Sequence, residues 1–303
     1  DHRDLHSFPT RRSSDLIKLA RKFGSATGRS EIITMDNSFH GRTLATLAAT
    51  GRAKYRKGFA PDMPGFRQVP YNDLEALRGA ITDRTCAVLI EPVQGEGGIL
   101  PADPGYLKAV RALCDEKKLL LLFDEVQCGM GRTGYLYAWQ GFGVVPDAFS
   151  LAKAIANGLP MGAFIVRREY ADILTVGEHA STFGGTPLVS AAALAVQEVI
   201  ERDHLLENCC HQGEYLMREL ARIAKPYRFV KAVRGRGLMI GVVLDRPAGP
   251  LSAAILKHKL ITLTAGETVL RLLPPLTISR AEADLAVERI AAGLADFAAT
   301  LDE

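Results

Sequence analysis

Five consecutive apolar residues, Leu119–Phe123, lead straight into Asp124, Glu125, Val126 and Gln127. A strand with one face in water alternates apolar and polar side chains. One that is apolar on both faces needs cover above and below, the situation of a central strand in a parallel sheet wrapped by helices. The neighbouring segments agree. Thr85–Val93 (TCAVLIEPV) is rich in buried-strand residues and is stopped by Pro92. After it, Asp103 as N-cap and Pro104 at the first helical position start a helix running to Lys118, with Leu107, Val110 and Leu113 on one stripe. PDAFSLAKAI at 146–155 supplies another strand. Strand, helix, strand in this order predicts an α/β fold with a doubly wound, mostly parallel sheet and helices on both faces.

The rest of the chain changes character. An Ala-rich helix from Leu188 to about Arg202 leads to a second from His204 to about Ala224. GRGLMIGVVL and TVLRLLPPL then read as strands, and Ser279 with Glu282 forms a capping box ahead of a closing amphipathic helix. This predicts a small C-terminal α+β domain over residues 206–303, after a large domain over 16–205. Residues 1–15, DHRDLHSFPTRRSSD, show no periodicity and join abruptly to IKLARKFG, so they read as a tag, a cloning remnant or an assembly error.

Bulk properties exclude several classes. Lys plus Arg total 37 against 34 acids, a net charge of +3 with no dominant run, so nothing demands nucleic acid or an anionic membrane. The longest apolar run is far too short to span a bilayer. Five cysteines, Cys86, Cys114, Cys128, Cys209 and Cys210, lack C-x-x-C spacing and suit a reducing cytoplasm. The histidines show no ligand spacing, so no metal is expected, and STFGG around Ser181 is not a hydrolase elbow. GEGG at 95–98 lacks the Lys and Ser/Thr of a phosphate loop and reads as a turn presenting Glu96.

Two strand ends carry the chemistry. Asp124 lies where open α/β sheets bind ligands; alone it is as readily a helix cap or the partner of a structural Arg. Lys153, in FSLAKAIANGLPMGA, is a surface lysine on its face value, but its small apolar flanks predict partial desolvation, which favours a nucleophilic free amine. A lysine to hold an aldehyde and a carboxylate to keep a ring nitrogen protonated are the parts pyridoxal phosphate uses. Phe39, in FHGRT, can stack on a flat ring or lie in the core, with Arg42 then a surface cation. Arg271, inside the apolar VLRLLPP, needs a carboxylate from Glu96 or a substrate.

Taken together, SFHGRT, EPVQGEGG, LLFDEVQCGMGRTG, AKAIANGLPMGA, HASTFGGTPL and LRLLPPLTIS resemble the class III pyridoxal-phosphate-dependent aminotransferases, in their acetylornithine branch, from about Ile17 to the C-terminus. The resemblance implies fold type I and pyridoxal 5'-phosphate as cofactor. It implies Lys153 as Schiff-base lysine and proton carrier, Asp124 on the pyridine nitrogen and Gln127 near the ring hydroxyl. Glu125 and Val126 are grouped with the cofactor-binding residues, and Phe39 stacks on the ring. Thr182 reaches the cofactor phosphate of a neighbouring subunit, with Ser181 beside the substrate, which implies a homodimer with shared sites. Arg42 holds the donor carboxylate, Arg271 that of 2-oxoglutarate, and Glu96 neutralises Arg271 when that carboxylate is absent. The implied reaction is a ping-pong transfer of the terminal amine of acetylornithine to 2-oxoglutarate, in arginine biosynthesis. Ornithine, succinylornithine or 4-aminobutyrate transamination is the sibling alternative, and a non-catalytic truncated remnant the alternative of another class. RRSSDL stands where the family has its glycine-bearing phosphate loop, so no phosphate role passes to Ser13 or Ser14.

Overall fold

The computed structural model describes residues 12–301, which form two compact units. The first holds the described residues up to Pro92 together with Ala102–Met130 and Tyr137–Val199. The second holds Val93–Pro101, Gly131–Leu136 and the chain from Ile200 onward.

In the first unit, β1 (Glu31–Met35), β2 (Phe66–Val69), β3 (Thr85–Ile90), β4 (Leu120–Asp124), β5 (Ala148–Leu151) and β6 (Ala163–Val166) form one sheet, ordered β2-β1-β3-β4-β5-β6. All neighbours are parallel except β5 and β6. Every residue of β3, β4 and β5 is buried, so the Leu119–Phe123 run has no face on which polar residues could alternate. Leu16, Leu19 and Ala20 of helix α1 (Arg12–Ser25) share a core with Ala87, Leu89, Leu120, Leu122 and Ala148. Each leucine so buried contributes roughly 1.5–3 kcal/mol. α1 starts earlier than the sequence suggested: Ser13 and Asp15, set aside with the irregular head, are buried in its first turn. The remainder of that head, residues 1–11, lies outside the described residues.

A short helix, α2 (Leu44–Ala49), follows β1, and α3 (Pro104–Lys117) joins β3 to β4. Leu107, Val110 and Leu113 of α3 are buried as its stripe predicts. Pro104 opens the helix and a left-handed Lys118 closes it, while Asp103 sits at the N-cap without a side-chain capping bond. Two further helices of this part of the chain are α4 (Ala138–Phe142) and α5 (Pro187–Arg202).

The second unit is built on an antiparallel sheet of β7 (Val230–Arg236), β8 (Met239–Leu244), β9 (Leu263–Ala265) and β10 (Val269–Leu272), ordered β9-β10-β8-β7. Its core joins Ile240, Val242 and Leu270 to Leu216 and Leu220 of α6 (Leu205–Ala224), Leu251 and Ile255 of α7 (Gly249–Lys257), and Ile290 and Leu294 of α8 (Arg280–Ala299). The capping box predicted for α8 is formed: Ser279 Oγ accepts from Glu282 N, and Glu282 Oε2 accepts from Ser279 N at 2.8 Å. Such a cap contributes about 1 kcal/mol. Gly213 lets α6 approach the turn at Gly237, whose carbonyl oxygen would lie 2.3 Å from any Cβ placed there.

Candidate functional site

Asp124, the last residue of β4, is paired with Ser150 of β5, three residues before Lys153. The chain leaves β5 through Ala152, and Lys153 opens a single 3-10 turn in a left-handed conformation, φ 48°. That conformation costs an L-residue roughly 1–2 kcal/mol and persists where the surroundings impose it, often at functional sites. Both side chains line one cavity of about 240 Å³, together with Phe39, Arg42, Val126 and Gln127. Parallel pairing of β4 with β5 is what brings the carboxylate and the amine to one place.

Asp124 is buried. Its Oδ2 accepts from His40 Nδ1 at 2.8 Å and from Ser13 Oγ at 2.5 Å, while Oδ1 accepts from the backbone N–H of Val126 at 3.2 Å. Burial pushes its carboxyl up, but the His40 hydrogen bond and charge, the Ser13 hydroxyl and the Lys153 ammonium outweigh it, and the group is held below the usual carboxylate value. Asp124 is therefore an anion at neutral pH. The loop carrying Phe39 to Arg42 is fixed through its backbone: Glu91 Oε2 accepts from Phe39 N and Thr50 Oγ1 from His40 N, each at 3.0 Å. Gly41 has φ 128°, and a Cβ there would lie 2.7 Å from Thr46 Oγ1, so only glycine makes this turn. The exposed Arg42 guanidinium stands 5.6 Å from the centroid of the Phe39 ring and 5.3 Å from that of Tyr55, and the two rings meet edge to face.

Several predicted residues differ from expectation or stand apart from this group. Lys153 is exposed rather than desolvated by its alanine flanks, because the turn projects it out of the sheet's cover. Ser181 is half-buried and Thr182 exposed, and neither lines this cavity. In the second unit Arg271 Nη1 donates to Glu96 Oε1 at 2.7 Å with both side chains largely covered, so the apolar strand's arginine has the carboxylate it requires.

Glu125 turns away from the cavity. It lies just past the end of β4, where the chain begins to turn, and its side chain leaves toward the start of α4. Its Oε2 and Oε1 instead accept from the N–H groups of Ala138 and Trp139, at 2.6 and 2.8 Å, at the start of α4. Burial pushes its carboxyl up to about 7 against these two donors. A folded-state value above the unfolded one means stability that is full below about pH 4.5 and lost as pH rises through 7. Two to three units correspond to a loss on the order of 3 kcal/mol. Thermal melts of the Glu125→Gln variant should therefore show a flatter fall between pH 5 and 8 than those of the parent chain. Parallel curves would remove Glu125 as the cause.

Sequence reasoning missed His40, Ser13 and Glu91, all of which line the same cavity. His40 sat in plain view inside FHGRT, but its partner Asp124 is 84 residues away. For Ser13 the partner is 111 residues away.

Comparison with known proteins bears on the whole chain. The family model for aminotransferase class-III matches residues 13–294, beginning inside α1. An acetylornithine aminotransferase of Methanocaldococcus jannaschii is 50% identical over 277 residues, covering 90% of this chain and 70% of that protein. One from Gloeobacter violaceus is 47% identical, covering 89% and 69%. Among solved structures, an ornithine aminotransferase from Toxoplasma gondii, described with partial occupancy of PLP at its active site, superposes with a TM-score of 0.95 at 30% identity, over 100% of this chain and 75% of that one. A thermostable (S)-enantioselective omega-transaminase from Thermomicrobium roseum gives 0.90 at 31%, over 97% and 75%. A fold, a family model and relatives near half identity all point the same way, and the chain belongs to the class-III aminotransferases.

Proposed function

We propose that the chain binds pyridoxal 5'-phosphate and transfers the terminal amine of N2-acetyl-L-ornithine to 2-oxoglutarate, giving N-acetylglutamate 5-semialdehyde and glutamate. One observation carries this reading: a buried carboxylate and a lysine on adjacent strand ends share a cavity, in a chain half identical to a curated acetylornithine aminotransferase. The donor set suits the cofactor. An anionic Asp124 meets a protonated ring nitrogen, Phe39 offers an aromatic face, and Lys153 offers an amine. At about 240 Å³ the space suits one small ring rather than a drug-sized ligand of roughly 300–1,000 Å³.

When bound, the cofactor supplies an aldehyde for the substrate amine and a ring that takes up an electron pair. Lys153 would hold the cofactor's aldehyde end in the resting enzyme. It would then take the proton from the amine-bearing carbon of the substrate and hold it at Nζ. Asp124 would keep the ring nitrogen protonated, Gln127 would hydrogen-bond near the ring hydroxyl, and Phe39 would fix the tilt of the ring. Arg42 would hold the donor's carboxylate. Arg271 would take that of 2-oxoglutarate, and Glu96, which already pairs with it, would neutralise it when the arm is uncharged.

With several donors supplied in turn to the purified, cofactor-loaded protein, kcat/KM for acetylornithine is expected to exceed that for ornithine, succinylornithine and 4-aminobutyrate by at least about tenfold, which corresponds to about 1.4 kcal/mol of discrimination. A preference for any of the other three would overturn the donor assignment while leaving the cofactor reading intact. Initial rates against both substrates should give the parallel lines of a ping-pong exchange.

A homodimer with shared sites belongs to the same reading, Thr182 reaching toward the cofactor phosphate of the second copy and Ser181 lying beside the substrate. Support comes from α5, where Ile200 alone of sixteen residues is buried, and from Phe183, Leu188 and Leu194, exposed to 70%, 70% and 65%. Apolar surface of that kind is normally covered in a soluble protein. Sedimentation equilibrium at micromolar concentration is expected to give a dimer, with Leu194→Glu weakening association at least tenfold; a monomeric parent chain would refute it. The reading also places the protein in the cytoplasm, where its five free cysteines stay reduced. No helix among the described residues is long and apolar enough to cross a membrane.

A further inference from the structure

Tyr55 stands outside the wall of the cavity, yet it touches two of the side chains that line it, Phe39 and Arg42. The backbone explains how it arrives there. After α2 the chain returns to the end of β1, where Asp36 and Gly51 form a parallel bridge; Asn37 N donates to the Gly51 carbonyl at 3.0 Å and Gly51 N donates to Ser38 Oγ at 3.1 Å. A Cβ on Gly51 would lie 2.1 Å from the Met35 carbonyl oxygen, so so close a return needs glycine. One helical turn, Ala53–Arg56, then sets Tyr55 against its two neighbours.

Arg42 is exposed, and among the described residues no carboxylate pairs with it. Its guanidinium instead lies over the Tyr55 ring, 5.3 Å from the centroid, and over the Phe39 ring at 5.6 Å. Stacking on a ring leaves the N–H donors at the guanidinium edge available to a carboxylate, and a side chain held in place beforehand loses less freedom when it binds. Tyr55 also meets Phe39 edge to face, 5.5 Å between centroids, so the three side chains form one cluster. Arg52 and Lys54 lie over the same Tyr55 ring, at 5.3 and 5.4 Å, and their charge adds to the pull on an anion.

We propose that Tyr55 is a positioning residue for the amino donor: its ring holds the Arg42 guanidinium at the cavity, where it meets the donor's carboxylate. This rests on the reading of Arg42 as the group that takes that carboxylate.

The test compares two donors on the cofactor-loaded chain, N2-acetyl-L-ornithine and N-acetylputrescine, which is the same amine without the carboxylate. Steady-state kinetics gives kcat and KM with each for the parent chain, for Tyr55→Leu and for Tyr55→Phe; where turnover of N-acetylputrescine is slow, its Ki against acetylornithine replaces KM. In Tyr55→Leu, KM for acetylornithine is expected to rise about three- to fivefold, the change that loss of one cation–π contact at an exposed site implies, with kcat within about 1.5-fold of the parent value. N-acetylputrescine should bind the parent and Tyr55→Leu alike, and Tyr55→Phe, which keeps the ring, should match the parent with both donors. No residue of the Ala53–Arg56 turn is buried, so the three proteins should melt together. Equal weakening of both donors in Tyr55→Leu would mean that the ring only shapes the loop, and no weakening of either would mean that Arg42 needs no such support; each result overturns the proposal and leaves the reading of Arg42 standing. A parent chain that does not favour acetylornithine over N-acetylputrescine would remove Arg42 as the carboxylate's partner, and the proposal would fall with it.

Discussion

Lys153→Ala is expected to reduce single-turnover transamination by at least about 10⁴-fold while shifting the melting temperature by no more than a degree or two. The first part follows from the proposed chemistry, in which Lys153 would hold an aldehyde and, as the only amine among the described residues lining the cavity, would carry a substrate proton; positioned acid–base catalysis alone contributes about 10²–10⁴-fold. The second part follows from structure. Lys153 is exposed and its alanine replacement keeps the same left-handed backbone, φ 48°, so neither packing nor strain changes much. Lys153→Gly separates the two further. Glycine adopts this conformation without steric cost, so it should melt higher than Lys153→Ala, by about 1 kcal/mol of stability, and be equally inactive. Such a result would show directly that the residue proposed to function there is not the one the backbone prefers. Retention of more than about one per cent of parental single-turnover activity by Lys153→Ala would remove Lys153 from the reaction.

How much of this was legible in the sequence depended on the range of the signal. The buried parallel strands were readable because an all-apolar run has one common explanation, and β3, β4 and β5 are buried at every position. Asp124 and Lys153 were readable as strand-end residues, since the sheet's register follows from strands already located and puts Asp124 opposite Ser150. The solvation of Lys153 was not. Small apolar neighbours along the chain suggested cover, yet cover is supplied by whatever packs on a residue in space, and the 3-10 turn points Lys153 outward. The exclusion of Glu125 from the cavity was not legible either, because it lies just past the end of β4, and Gln127, two residues further on, does line the cavity. His40 and Ser13 could not have been found, because nothing local distinguishes a histidine that meets a carboxylate 84 residues later from one that meets water. The Glu96 pairing of Arg271 was an inference from the cost of an unpaired buried cation, and such arguments reach further along a chain than motifs do.

Asp147 illustrates the same limit and carries the largest expected effect on stability. It precedes β5, is 1% exposed, and spends both carboxylate oxygens on long-range partners: Oδ2 accepts from Arg111 Nη1 at 2.9 Å and from the N–H of Leu121 at 2.7 Å, and Oδ1 accepts from Arg167 Nη1 at 3.2 Å. Its backbone joins in, donating to the Leu121 carbonyl and accepting from Arg167 N. One residue thus ties α3, β4, β5 and the end of β6 together at the end of the strands opposite Asp124. Asp147→Ala would leave the Arg111 guanidinium, 17% exposed, with only the exposed Asp115 at 2.7 Å as counter-ion and strip an acceptor from a buried backbone N–H, so a loss on the order of 3 kcal/mol in chemical denaturation is expected. Arg167→Ala makes the informative contrast: its side chain is 44% exposed, solvent screens the pair, and the loss should stay below about 1 kcal/mol. Because the strand register that pairs Leu122 with Ala148 also pairs Asp124 with Ser150, Asp147→Ala should weaken pyridoxal phosphate binding as well, though no atom of Asp147 lines the cavity. A loss under 1 kcal/mol with unchanged cofactor affinity would show that β4 and β5 hold their register without this clamp, and that the alignment of Asp124 with Lys153 depends on apolar packing alone.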